Sequence, residues 1–513
     1  MKAGLLVVGV LVTLIIAAFG GLISVAERFD GLALAPVLSV ARFTVLQAGL
    51  STFLSLALGA LLALALARRQ FSGRSAFIAA LGAIAALPPI VVVFALTAIW
   101  GRAGFVNDGL AAMGLQRVSL YGLGGILLAH VFFNAPFAAR AFLAAIERTP
   151  GEHWRLASSL GMTPFAILRS IDAPILWRET PSLAILIFLV CATSFAIPLA
   201  LGGGPGAATL EVAIYEALRF DVDFSRAAML AGIQVLALGG LALAFAPLLT
   251  RPPDDATAGR RIARPDSASR SLAILDMAAI GLAFALVLPP LIAIAKGGAA
   301  LSTMTITPVL KAAATSLLVA TPSALLSVAA AIALARARIA AGRRGSLFAQ
   351  TPLLALAMPP LALASGFYAL ARQIGDPSLI AWPALIFANA LTALPFVYRL
   401  IEPPLLIAEA RFGRLARSLG VSGLARLRFI EGPLLRAPVG AALALAGAFS
   451  LGDLGVVALF GGDSLMTLPL LLYERLGAYR MAEADAIAAC LAALVLALFI
   501  VSRRLGGRDA RAS

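Results

Sequence analysis

Cysteine and histidine are nearly missing from this chain of 513 residues, which holds two of each. Cys191 and Cys490 both lie inside apolar runs, which excludes a disulfide framework, a thiolate zinc site and a cysteine-ligated iron–sulfur cluster. His130 and His153 cannot build a multi-histidine centre, so no metal site is expected. Lysine occurs only as Lys2, Lys296 and Lys311, none in the Gly-Lys-Ser/Thr setting of a phosphate-binding loop. The chain should therefore not hydrolyse ATP itself. Gly202-Gly203-Gly204-Pro205-Gly206 is rich in glycine, but it follows an apolar run and lacks dinucleotide-binding spacing; it reads as an external loop that breaks a helix. No Ser–His–Asp or paired-carboxylate arrangement stands out. We assign no catalytic residue and no cofactor, and read the chain as a non-enzyme.

Charge is also scarce, at 13% of residues, against about a quarter in a soluble domain. What fills the chain instead is apolar sequence, 61% by count, with a mean hydropathy of +0.99. Crossing about 30 Å of hydrocarbon takes about 20 apolar residues in a helix. About twelve uncharged stretches qualify: 3–26, 43–67, 75–101, 118–139, 180–210, 227–250, 277–295, 312–335, 345–371, 377–398, 437–462 (interrupted by Asp453) and 486–502. None alternates with a two-residue period, so an all-α integral membrane protein is expected rather than a β-barrel. Twelve crossings put both termini on one side. With that side cytoplasmic, 29 of the 40 basic residues fall on inner ends and loops, as the positive-inside rule requires. The net charge of +15 then follows from topology, and no nucleic-acid partner is expected.

Laid on itself with a shift of 259 residues, the chain repeats. Pro136-Phe137 meets Pro395-Phe396, Arg155-Leu156-Ala157 meets Arg414-Leu415-Ala416, and Leu160-Gly161 meets Leu419-Gly420. Pro174 meets Pro433. With small slips, Tyr215-Glu216 meets Tyr473-Glu474, and Pro88-Pro89 meets Pro359-Pro360. Two six-helix domains in the same orientation are expected, 1–250 and 272–505, joined by a cytoplasmic linker at 251–271 and followed by a cytoplasmic tail at 506–513. A central pathway between them follows.

The strongest repeated feature lies in two cytoplasmic loops, about 147–180 and about 402–436. Phe412, Leu415, Ala416 and Leu419 keep helical spacing, as do His153, Leu156, Ala157 and Leu160. Each helix should end at a glycine cap, Gly161 or Gly420. After nine intervening residues, Ile171-Asp172-Ala173-Pro174 and Ile430-Glu431-Gly432-Pro433 follow. A short helix, a glycine and then Ile-x-x-Pro at this spacing resembles the EAA loop in membrane subunits of ABC importers. Arg155 and Arg414 stand where that family has Glu, and Ala173 and Gly432 where it has Leu. The resemblance implies that Arg155, Leu156, Ala157, Gly161, Ile171 and Pro174, and likewise Arg414, Leu415, Ala416, Gly420, Ile430 and Pro433, dock two copies of an ATP-binding subunit. ATP and magnesium would then belong to that partner. The stretches 87–102, 130–136, 201–216 and 450–461 resemble more closely the fused permeases of importers for thiamine and thiamine phosphate. That implies a bacterial inner membrane, a periplasmic substrate-binding protein and a small-molecule substrate.

Asp453 is the one acid well inside an apolar run, where a charge costs about 2.5–3.5 kcal/mol. One reading has it face the pathway and favour a cation such as the thiazolium of thiamine, with Ser450 nearby and Ser194 at the matching place. The other has it cap a broken helix or pair with an arginine. Glu216 and Glu474, placed in external loops, are candidate contacts for the binding protein. Two rival readings stay open: an ABC permease for ferric iron or another small solute, and a proton-coupled secondary transporter of twelve helices.

Overall fold

Prolines decide where the apolar runs break. The run 345–371 contains Pro359-Pro360, and a residue before proline is pushed out of the α region. Met358 is accordingly extended (φ −92°, ψ 107°) and divides the run into helices Ser346–Ala357 and Pro360–Ile374. Pro88 (φ −59°, ψ 134°) likewise separates Arg74–Ile84 from Pro89–Trp100 within the run 75–101. These breaks come from a computed structural model that describes residues 1–25, 34–84, 86–102, 104–245, 264–299, 305–358, 360–376, 378–461 and 465–505. Most of the expected linker (251–263) and the expected tail (506–513) lie outside the described residues.

The described residues are helical with no strand, and eleven helical stretches are long and apolar enough to cross a membrane. Helices close every backbone hydrogen bond within the segment, which hydrocarbon demands. The broken run 345–371 accounts for the difference from twelve. The run 180–210 is not a single crossing either: helix Ala173–Ala192 stops, and a short helix, Ala196–Leu201, follows. At the matching place Gly432–Leu451 stops and Gly455–Phe460 follows, so Asp453 sits between two helices rather than within one. Leu5, Leu6 and Ile16 on the first helix are exposed, an apolar surface suited to lipid and costly in water.

The core of each half is one long helix with two others against it. Leu34–Arg68 packs on Leu123–Glu147 and Ala173–Ala192; Ile306–Ala341 packs on Ser378–Ser418 and Gly432–Leu451. The opening helix of each half, however, crosses to the other half. Lys2–Val25 packs on Pro360–Ile374 and Ile306–Ala341, whereas Arg270–Gly297 packs on Pro89–Trp100 and Leu34–Arg68. Gly366 meets the backbone of Ala18 so closely that any side chain there would collide with it. Small polar groups recur too. The Thr44 hydroxyl accepts from the Leu210 amide and the Ser316 hydroxyl from the Leu468 amide, both at 2.9 Å, and each satisfies one orphan donor at a helix start.

Candidate functional site

The broken helices meet around a cavity of about 380 Å³, lined by residues of both halves. Leu87 and Pro89 come from one proline break, Met358 and Pro360 from the other. Several lining residues occupy positions 259 apart: His130 and Asn389, Phe137 and Phe396, Ser194 and Asp453. The volume suits a small organic solute.

Polar groups from both halves line this cavity. His130 lies with Nδ1 3.1 Å from the Ser51 hydroxyl, while its buried Nε2 has no hydrogen-bond partner. Asn389 donates to the Ser450 hydroxyl at 2.9 Å. Ser450 is thus buried and engaged, and it does not line the cavity, unlike Ser194 and Asp453. Asp453 both meets a helix start and lines the cavity. Its Oδ1 accepts from the Val456 amide at 3.4 Å at the start of the short helix, its Oδ2 is buried without a partner, and the residue lines the cavity. Glu211, for which the sequence carries no signal beyond the end of an apolar run, is 1% exposed and also lines it. Gln234 donates to Glu211 Oε1 at 3.0 Å, and Oε2 has no partner.

The two loops have their own geometry. Gly151–Ser159 is a separate helix started by Pro150, whereas the second copy continues a 41-residue helix, Ser378–Ser418. The cause is local: Thr149-Pro150-Gly151 is replaced by Ala408-Glu409-Ala410, which propagates a helix. Both end on a left-handed glycine, Gly161 (φ 59°) and Gly420 (φ 64°). The next amides, of Met162 and Val421, return to the carbonyls of Ala157 (3.0 Å) and Ala416 (2.8 Å), a Schellman closure. A valine at either glycine is expected to cost about 1–2 kcal/mol of loop stability, seen as faster limited proteolysis of that loop.

Burial divides the expected docking residues. Ala157 and Ala416 face inward and are buried, so they position their helices and present no surface. Leu156, Leu160, Leu415 and Leu419 are exposed at 57–68%, beside exposed Arg155 and Arg414. Ile171 and Ile430 are half-buried, and Pro174 and Pro433 are exposed. Each Ile-x-x-Pro step contains a π-helical turn, Leu168–Asp172 or Leu427–Glu431, ending on a buried acid.

These acids are held differently. Glu431 takes Arg336 and, at 2.8 Å, Arg426, both from its own half. Asp172 is held by Arg264, inside the expected linker, through two bonds of 3.0 and 2.7 Å. Arg264 also grips Asp266 and lies 4.2 Å over the Trp154 ring of helix Gly151–Ser159. Burial alone opposes the guanidinium charge, but hydrogen bonds and charge attraction from Asp266 and Asp172 outweigh it and push its pKa further up. Glu216 and Glu474 sit on helices, Leu210–Arg219 and Leu468–Gly477, not in loops; Glu216 is half-buried and Glu474 exposed.

A many-helix membrane protein with a solute-sized, partly polar cavity lined from both halves has the architecture of a transport permease. No family model matches the chain. The thiamine transport system permease protein of Brucella melitensis is 39% identical over 507 residues, covering 97% of this chain and 92% of the relative. That of Escherichia coli is 40% identical over 497 residues, 92% and 90% of the two chains. That of Haemophilus influenzae is 34% identical over 467 residues, 88% and 86%. The chain belongs to the family of thiamine transport system permease proteins.

Proposed function

We propose that this chain is the membrane permease of an ABC importer, and that thiamine passes through the cavity between its two halves. The observation that carries this reading is the central cavity itself, lined from both halves and bearing two acids, in a chain about 39% identical to thiamine permeases along nearly its whole length. With the proline-broken run 345–371 counted as one crossing, residues 1–250 and 272–505 act as two repeated six-helix domains, and both termini face the cytoplasm of a bacterial inner membrane. The exposed leucines at Leu156, Leu160, Leu415 and Leu419 seat two ATP-binding subunits. These supply ATP hydrolysis; this chain contributes no catalytic group. Nucleotide-driven closure of the ATPases rocks the halves about the cavity. A periplasmic binding protein delivers the solute to the opposite face, with Glu216 and Glu474 as its contacts. The reciprocal exchange of opening helices supports this scheme, because each half then moves with a helix of the other.

The test is uptake of labelled thiamine into proteoliposomes holding the chain, its ATPase and its binding protein. Uptake is expected to require internal ATP and both partners, and to be indifferent to a proton gradient. Uptake by the chain alone, driven by a proton gradient, would overturn the reading.

A further inference from the structure

Two carboxylates share the cavity, and neither is fully satisfied. Glu211 spends one oxygen on Gln234 and Asp453 spends one on the Val456 amide; Glu211 Oε2 and Asp453 Oδ2 are both buried without a partner. A buried polar atom left unpaired costs about 1–3 kcal/mol, so two acids kept this way in one cavity call for an occupant that donates or carries positive charge. Gln234 places its amide on Glu211, not a cation, and among the described residues no lysine or arginine lines the cavity. Aromatic rings complete the wall: Phe133, Phe137 and Phe195 from one half, Phe396 and Phe449 from the other. Ring faces attract a desolvated cation, and their edges pack on a planar ligand.

We propose that Glu211 and Asp453 form a cation-selective subsite within the cavity, one that takes an aromatic organic cation between the two carboxylates and the phenylalanine wall. This deepens the proposed function and rests on it for the identity of the solute. The site is built asymmetrically. Ser194 stands opposite Asp453 in the repeat, and Pro469 opposite Glu211, so each half contributes one of the two acids. A single positive charge is therefore met from both sides, and the site is complete only while the halves are together. Rocking them apart separates the acids and weakens the grip, which gives release a physical cause.

The test measures equilibrium binding to the full-length chain in lipid nanodiscs, without the binding protein, whose own selectivity would mask the effect. The probes are labelled thiamine and its neutral isostere 3-deazathiamine, in which carbon replaces the charged ring nitrogen. The intact chain is expected to favour thiamine by at least tenfold. Glu211→Gln, which keeps size and the Gln234 contact, and Asp453→Asn are each expected to abolish that preference while leaving the isostere's affinity within about twofold. A general packing defect would instead weaken both probes alike and would overturn the proposal, as would undiminished preference in both variants. Absence of preference in the intact chain would also overturn it. ATP-driven thiamine uptake by the intact complex, run in parallel, separates the two readings: uptake without charge preference removes the subsite and keeps the permease, whereas no uptake removes the permease reading itself.

Discussion

Arg264→Ala is expected to destabilise the protein by about 3–5 kcal/mol, the cost of stranding a buried charge. Asp172 and Asp266, with side chains 0% and 1% exposed, both lose their main partner. Among the described residues, a distant contact of Asp266 with Arg68, at 4.0 Å, remains to compensate. The stacking over Trp154 goes as well, and with it the brace between the expected linker and helix Gly151–Ser159. Lysine should not rescue, because an ammonium cannot make the paired bonds to both carboxylates and lie flat on the indole. Neutralising the acids together, in Arg264→Ala with Asp172→Asn and Asp266→Asn, should recover part of the loss, because no bare charge is left. The melting temperature of the solubilised protein reads all three. Equal melting of Arg264→Ala and the original chain would show that the network carries no load.

The second large effect is expected at the outer faces of the docking helices. Leu156→Asp combined with Leu415→Asp should weaken ATPase association at least about tenfold, the loss that follows when apolar anchors of a packed interface are made charged. Both leucines are more than half exposed, so the permease itself should keep its stability to within about 0.5 kcal/mol. Copurification of the tagged chain with its ATPase measures the first effect, and thermal melting the second. Unaltered association would place the docking surface elsewhere.

Much of this fold was legible in the sequence, for reasons particular to its elements. Apolar runs long enough to cross hydrocarbon can only be helices there, and Gly161 and Gly420 end theirs with the positive φ that glycine tolerates. Pro88-Pro89 and Pro359-Pro360 were visible as a repeated pair, but not as breaks that would line a cavity. The exchange of opening helices was hidden, since a helix apolar all round carries no pattern that says which neighbour it packs on. The burial of Ala157 and Ala416 beside exposed leucines was not legible, because helical spacing marks an apolar stripe without saying which edge faces inward. Glu211 escaped because it directly follows the run ending at residue 210, where an acid reads as a membrane boundary. His130 was seen but read as an ordinary helical residue; the same 259-residue shift that revealed the repeat sets it against Asn389 and could have marked both. Arg264 was hidden by composition: a segment rich in Arg, Pro, Asp and Ser reads as a linker, although Arg264 is a buried structural part of it.

The most direct measurement of the central claim is ATP hydrolysis by the reconstituted complex of this chain, its ATPase and its binding protein, titrated with thiamine and separately with ferric iron. The account predicts stimulation that saturates with thiamine and none with iron. Stimulation by iron alone would keep an ABC permease and contradict the thiamine assignment; failure of any ATPase to associate would contradict the docking loops and the permease reading with them.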